Sequence, residues 1–273
     1  MKTELNLLLL TDFSEVSGFA ASYALQIAKK TRGKVEIMHI LQTPVDWVKL
    51  PKEREHLYPE VRDEIAKSKA KLSDMVYEFE QSGISTVSTL LYSFGPENVF
   101  AHVKNSKADL VVMGSQGKGA SRGFMLGSNA QKVLRNVKNP TLVVKKNPLK
   151  PIISKIGFLS TLEQNQMEAF EKIKAIAELL EAELDLVFIN TPYNFLETED
   201  LEYKYSSMGS KNFMAINALN MEKGILYYTK KHHPDLLVLA KSEKPDLVRV
   251  FSPSLTENLV REQDLPILSI PIE

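Results

Sequence analysis

The sequence predicts two tandem doubly wound α/β domains, and three observations carry that expectation. Short apolar runs alternate with helical patterns along the first half of the chain. The pattern of the first half recurs in the second, and a lysine- and proline-containing stretch, KKNPLKP at 145 to 151, separates the copies. The boundaries that follow are 1–147 and 151–273.

The repeat is visible in four places. KADLVVMGS (107 to 115) matches HPDLLVLAKS (233 to 242), and NPTLVVKK (139 to 146) matches LPILSIPI (265 to 272), both at an offset of 126. LLLLTDFSE (7 to 15) has a weaker echo in IGFLSTLEQ (156 to 164), as does EIMHILQTP (36 to 44) in DLVFINTP (185 to 192).

Taken in order, Leu5 to Leu10, Val35 to Ile40, Ser85 to Tyr92, Leu110 to Met113 and Thr141 to Val144 are short and almost uniformly apolar or β-branched, as strands covered on both faces should be. Ala20, Ala24, Ile27 and Ala28 recur at helical spacing behind a cap at Ser14, and Lys67 to Phe79 and Glu97 to Val103 also read as helical. Strand and helix in alternation give a parallel sheet with right-handed crossovers, whose ligands bind beyond the carboxyl ends of the strands.

Composition excludes several classes. Lys+Arg and Asp+Glu both number 34, so a general attraction to nucleic acid or to an anionic membrane has no support, and an anion site must be local. With no cysteine there are no disulfides, thiol nucleophiles or cysteine-ligated zinc. The start, MKTELNLLLLTD, is superficially like a signal peptide, but Glu4 and Asn6 interrupt an already short apolar run. The expectation is a soluble cytoplasmic protein.

The segment GSQGKGASRGFMLGS (114 to 128) concentrates five of the chain's 12 glycines between the fourth strand and a helix-like NAQKVLRNV. Backbone without side chains can turn its N–H groups inward, and a helix start adds unpaired donors with about half a positive charge, so phosphate is the expected ligand. Ser128 fits as cap or phosphate ligand, and Lys118 or Arg122 would add positive charge. A Walker A loop is absent because Gly119 follows Gly117-Lys118, and the dinucleotide fingerprint fails at Arg122.

Gly114, two residues, Gly117, nine residues and Gly127-Ser128, taken with LLLLTDFSE, MHI at 38 to 40, DLVVMGSQG, GSNAQKV and NPTLVVKK, resemble the universal stress protein family in its tandem form. The resemblance implies five-stranded sheets of order 3-2-1-4-5, copies associating through their last strands, and binding of ATP or a related adenine nucleotide, with Mg2+ arriving on the nucleotide. It places Asp12, beside Thr11, at the adenine or ribose edge. Ile40 would offer a backbone contact to adenine and Met113 would pack near the nucleoside. Gly114, Gly117, Gly127, Ser128 and Asn129 would line the phosphates.

Other readings stand beside these. Asp12 can simply cap the first helix, His39 reads as a packed, hydrogen-bonded residue, and the remaining histidines have no metal spacing. In the second copy Gly114 becomes Ala240, Gly117 becomes Glu243, Gly127 becomes Pro253 and Asp12 becomes Thr161, while Ser254 matches Ser128. One competent site in the first copy is therefore expected, with the second copy as a non-binding internal dimer partner. Residues 193 to 213, acidic and aromatic, read as a surface loop or short helix, with a partner-binding or lid role as the alternative. No general base, nucleophile or catalytic set stands out, so the expected function is nucleotide-dependent regulation, which leaves open slow ATP hydrolysis, a purely structural role with a vestigial loop, a homodimer and an unidentified protein partner.

Overall fold

A computed structural model describes residues 4–94, 102–104, 106–116, 127–146, 152–242, 259 and 263–272. The chain divides into two compact units, Met1–Leu149 and Lys150–Glu273.

In the first unit the strands are β1 (Asn6–Thr11), β2 (Lys34–Gln42), β3 (Thr86–Ser93), β4 (Leu110–Gly114) and β5 (Thr141–Val144), all parallel, in the order β3-β2-β1-β4-β5. Consecutive residues Leu7, Leu8 and Leu9 are all buried, which requires cover on both faces of the sheet. Helix α1 (Glu15–Thr31) starts at Ser14, whose hydroxyl accepts from the Ser17 N–H, and ends at Arg32 in the left-handed conformation. Ala20, Ala24, Ile27 and Ala28 form its buried stripe, as their spacing predicts.

Helix α2 (Pro59–Gln81) is longer than the predicted span from Lys67. Its first turns, rich in exposed Glu, Arg and Asp, hide the apolar rhythm, and only Val61 and Ile65 face inward there. Helix α3 (Ser128–Asn136) precedes β5. Apart from 102 and 103, the helix expected at 97–103 lies outside the described residues.

The second unit repeats the plan with β6 (Lys155–Ser160), β7 (Glu183–Asn190), β8 (Asn212–Asn217), β9 (Leu236–Ser242) and β10 (Ile267–Ile272), parallel and in the order β8-β7-β6-β9-β10. This is again 3-2-1-4-5 when counted within the unit. Its helices are α4 (Met167–Leu180), entered through a 3-10 turn at Gln164–Gln166, α5 (Thr198–Met208) and α6 (Met221–His232). Thus residues 193 to 213 do contain a short helix, followed by an edge strand that the sequence pattern does not predict.

Candidate nucleotide site at the strand ends of the first unit

The register of the sheet brings Thr11, Asp12, Met113 and Gly114 of the predicted residues to one end of adjacent strands. Leu10 of β1 pairs with Met113 of β4, so Thr11 and Asp12 emerge beside Gly114. Ser115 is held by its N–H to the Val144 carbonyl (2.7 Å), and the Gly127 N–H donates to the Ser115 carbonyl (2.8 Å). That second bond pins the start of α3 to the end of β4. The carboxyl ends of two adjacent central strands and a helix N-terminus therefore meet at one place, where strand order reverses between β1 and β4.

Each residue arrives there for a local reason. Thr11 is buried, and its Oγ1 accepts from the Phe13 N–H (3.0 Å) and lies 3.1 Å from Ser17 Oγ. Asp12 Oδ1 accepts from the Ser14 N–H (3.0 Å) and the Ser14 hydroxyl (2.6 Å), so the carboxylate does brace the start of α1. Phe13 between them has φ 60°, a left-handed backbone that costs a bulky residue about 1 kcal/mol or more. Its ring lies 4.4 Å from that of His39, and Lys71 Nζ sits 5.3 Å from the ring centre on the other element packed against it. His39 is buried, with Nδ1 donating to the Thr11 carbonyl (2.7 Å), which ties the end of β2 to the site turn. Ile40, the next residue, is half-buried, and Met113 is buried in β4.

One glycine of the pattern serves packing. A Cβ on Gly114 would come within 3.1 Å of Val16 C and Cγ1 and 3.2 Å of Ser17 N, so this glycine lets the first turn of α1 settle against β4. Gly127, not Ser128, is the N-cap of α3, with φ −61° and ψ 147°, values open to any residue. Its own amide is engaged by Ser115, and the donors of this helix start are instead the first-turn N–H groups of Ser128, Asn129 and Ala130, which have no intrahelical acceptor. Asn129 is exposed. Gly117, Lys118 and Arg122 lie outside the described residues, as do Glu243, Pro253 and Ser254 of the second copy.

Beside the site turn, between α1 and α2, runs a cleft of 360 Å³ whose lining includes Thr11, Phe13, Ser14 and Ser17 on one wall and Lys71, Asp74 and Glu78 on the other. Sequence reasoning did not find it, because walls contributed by two separate helix faces leave no local motif. Among the described residues no group of three or more His, Asp or Glu could hold a metal ion, and no helix is long and apolar enough to cross a membrane.

At the corresponding place in the second unit, Thr161 replaces Asp12 and Ala240 replaces Gly114. The Thr161 N–H donates to Gln166 Oε1 (2.9 Å), which also accepts from Ser160 Oγ (2.7 Å), so a buried amide side chain fills the turn.

A model of the universal stress protein family matches residues 5–145. Universal stress protein MJ0531 of Methanocaldococcus jannaschii is 32% identical over 138 residues, covering 50% of this chain and 79% of that protein. Universal stress protein YxiE of Bacillus subtilis is 25% identical over 144 residues, covering 51% and 97%. The crystal structure of a universal stress protein from Archaeoglobus fulgidus covers 98% of this chain and 96% of its own, with a TM-score of 0.73 at 18% identity, a likeness of fold.

Proposed function

Since the chain belongs to the universal stress protein family, we propose that its first unit binds ATP or a related adenine nucleotide and that occupancy regulates the choice of a protein partner. The observation that carries this reading is the hydrogen bond from the Gly127 N–H to the Ser115 carbonyl, together with the Leu10–Met113 register. Those two features set a helix start, with its unpaired donors and partial positive charge, against the strand ends that present Asp12.

The residues fit such a ligand. The amides of Ser128 and Asn129 hold phosphate oxygens, with Gly114 and Gly117 keeping side chains out of the way. Asp12 accepts from a ribose hydroxyl or the adenine amine, Thr11 and the backbone of Ile40 flank the base, and Met113 packs near the nucleoside. A divalent ion enters with the phosphates and offsets their charge. The second unit holds no nucleotide, since Gln166 and Thr161 stand where the carboxylate would be needed.

Titration of nucleotide-stripped full-length protein with labelled ATP tests this. We expect one equivalent bound per chain, and its loss in Gly127→Glu, which places a carboxylate at the helix start without straining a φ of −61°. Two equivalents per chain, or unchanged binding in that variant, would refute the assignment.

A further inference from the structure

Both units carry a similar Thr-Pro segment after their second strand, Thr43-Pro44-Val45-Asp46-Trp47 in the first and Thr191-Pro192-Tyr193-Asn194-Phe195 in the second. In the first unit the aromatic is covered. Trp47 is 9% exposed and packs with Leu41 and Ile65, edge-on to Tyr58 at 6.3 Å, with Val61 against the same cluster. Part of that cover, Val61 and Ile65, comes from the start of the 23-residue helix α2, with Tyr58 as its N-cap. In the second unit the corresponding helix, α5, has 11 residues, and Phe195 is 63% and Tyr193 95% exposed.

This uncovered turn is firmly held. The Asn190 side chain accepts from the Leu196 N–H (2.9 Å) and donates to the Leu196 carbonyl and to Asn217 Oδ1 (both 3.0 Å). Asn194 Oδ1 accepts from the Thr191 N–H (2.9 Å) and hydroxyl, and Asn194 Nδ2 donates to the Ile189 carbonyl (3.1 Å). Polar side chains are thus spent inward while the aromatic rings face water, the reverse of what hydration favours for a free-standing turn. Leu219, 71% exposed, adds to the same end, one residue beyond Ala218, whose N–H donates to the Asn190 carbonyl (2.9 Å).

The segment that carries most of the patch is acidic. Residues 193 to 203, YNFLETEDLEY, contain Glu197, Glu199, Asp200 and Glu202 and no basic residue. On the exposed face of α5, Tyr203 (82% exposed) stands one turn from Glu199 and Asp200. Lys204, next in the chain, lies 3.9 Å from Glu163.

We propose that this surface docks a basic amphipathic helix of a partner protein. Its apolar residues cover Phe195 and Leu219, as the start of α2 covers Trp47 in the first unit. Its arginines lie over Tyr193 and Tyr203 and pair with Glu199 and Asp200. A backbone fixed before binding leaves only side-chain freedom to lose on contact, and guanidinium groups suit both aromatic faces and carboxylates. Nothing in this surface draws on the nucleotide site of the first unit.

The test uses the full chain and a fluorescent peptide of about fourteen residues with leucines on one helical face and arginines on the other. Saturable binding is expected, weakened at least about tenfold by the double substitution Tyr193→Ser, Phe195→Ser and severalfold by raising salt from about 50 to 300 mM. Replacing the arginines of the peptide with glutamates should abolish it. Val48→Ser, which removes a residue 76% exposed in the first unit, should leave binding unchanged. Because all three side chains are exposed, melting temperatures of the variants should match that of the parent. Absence of saturable binding, or equal binding by the double variant, would overturn the proposal. So would a concentration-dependent dimer that the double variant abolishes, which would assign the patch to a second copy of this chain.

Discussion

Thr11-Asp12-Phe13 in the first unit and Ser160-Thr161-Leu162 in the second follow the same path after the first strand of each sheet. Phe13 and Leu162 are both left-handed, at φ 60° and 58°, and in both turns the hydroxyl of the strand's last residue accepts from the N–H two residues on, at 3.0 and 2.9 Å. A strained turn kept in both units belongs to the fold and not to a ligand. What differs is the residue in between. Asp12 presents a carboxylate whose Oδ1 accepts from Ser14, whereas Thr161 carries a buried hydroxyl with no hydrogen-bond partner. Duplication preserved the backbone geometry and left the site chemistry free to change.

Deeper in the sheets the same substitution of chemistry on a shared frame can be broken most severely at Gly157. Gly157 pairs with Asp185 as Leu8 pairs with Glu36, but the space that Leu8 fills with its own side chain is taken in the second unit by Tyr228 of α6. A Cβ on Gly157 would lie 2.5 Å from the Tyr228 ring. Gly157→Val should therefore cost about 3 kcal/mol or more, through displacement of the tyrosine from a packed core. Denaturant unfolding checks this, and a cost under about 1 kcal/mol would show that the ring moves aside freely.

Tyr228→Phe is a smaller break at the same point. The Tyr228 hydroxyl donates to Asp185 Oδ2 (2.8 Å), which also meets Lys155 Nζ at 3.2 Å, while Asp185 Oδ1 is buried without a partner. Losing that donor should cost about 1–3 kcal/mol near neutral pH. Burial, then the hydrogen bond to Asp185, raises the Tyr228 phenol above its ordinary value of 10.0. A raised folded-state pKa means that this contribution is complete below pH 10 and is lost as pH climbs beyond it, because the unfolded chain ionises first. The parent should thus lose stability between about pH 9 and 11 more steeply than Tyr228→Phe, as read from unfolding midpoints at each pH. Parallel slopes would show that Tyr228 does not carry the effect.

The sequence made the scaffold readable and the second use of its residues hard to read. Four of the five strands of the first unit lie within one or two residues of their predicted bounds, and β5 coincides: the central strands are nearly unbroken apolar runs, and the edge strand β3, only partly buried, is legible from its β-branched residues. Strand β8, NFMAIN at an edge, carries a four-residue apolar run that the repeat pattern does not mark as a strand. Ser14 was legible as the cap of α1, yet the grip of Asp12 on Ser14 was legible only as an alternative, since an Asp before a helix reads the same whether it braces or binds. At Gly114 the glycine pattern pointed to phosphate, but the close approach of Val16 depends on how α1 crosses β4, which no local spacing encodes. The likeness of the two Thr-Pro segments, QTP and NTP, is visible in the sequence, but Trp47 and Phe195 beyond them are not marked by it. Their opposite exposure depends on what packs over each turn after the chain has folded.

The mildest test separates the two roles of Asp12 and uses Thr161 as its mirror. Asp12→Asn keeps an oxygen that can accept from Ser14, so the brace on α1 persists and stability should change by less than about 0.5 kcal/mol. It removes the charge, so a nucleotide held through that carboxylate should bind about tenfold more weakly, because an interaction with a charged acceptor is stronger than one with a neutral amide. Thr161→Val deletes a buried hydroxyl that has no partner and keeps nearly the same shape, so the second unit should gain about 1 kcal/mol. Binding isotherms and unfolding curves on the same two variants decide the matter. If Asp12→Asn destabilises the protein and leaves nucleotide affinity untouched, the carboxylate is only a brace. If Thr161→Val also destabilises, the hydroxyl has a partner that matters, and the second unit has not simply lost its polar chemistry at this turn.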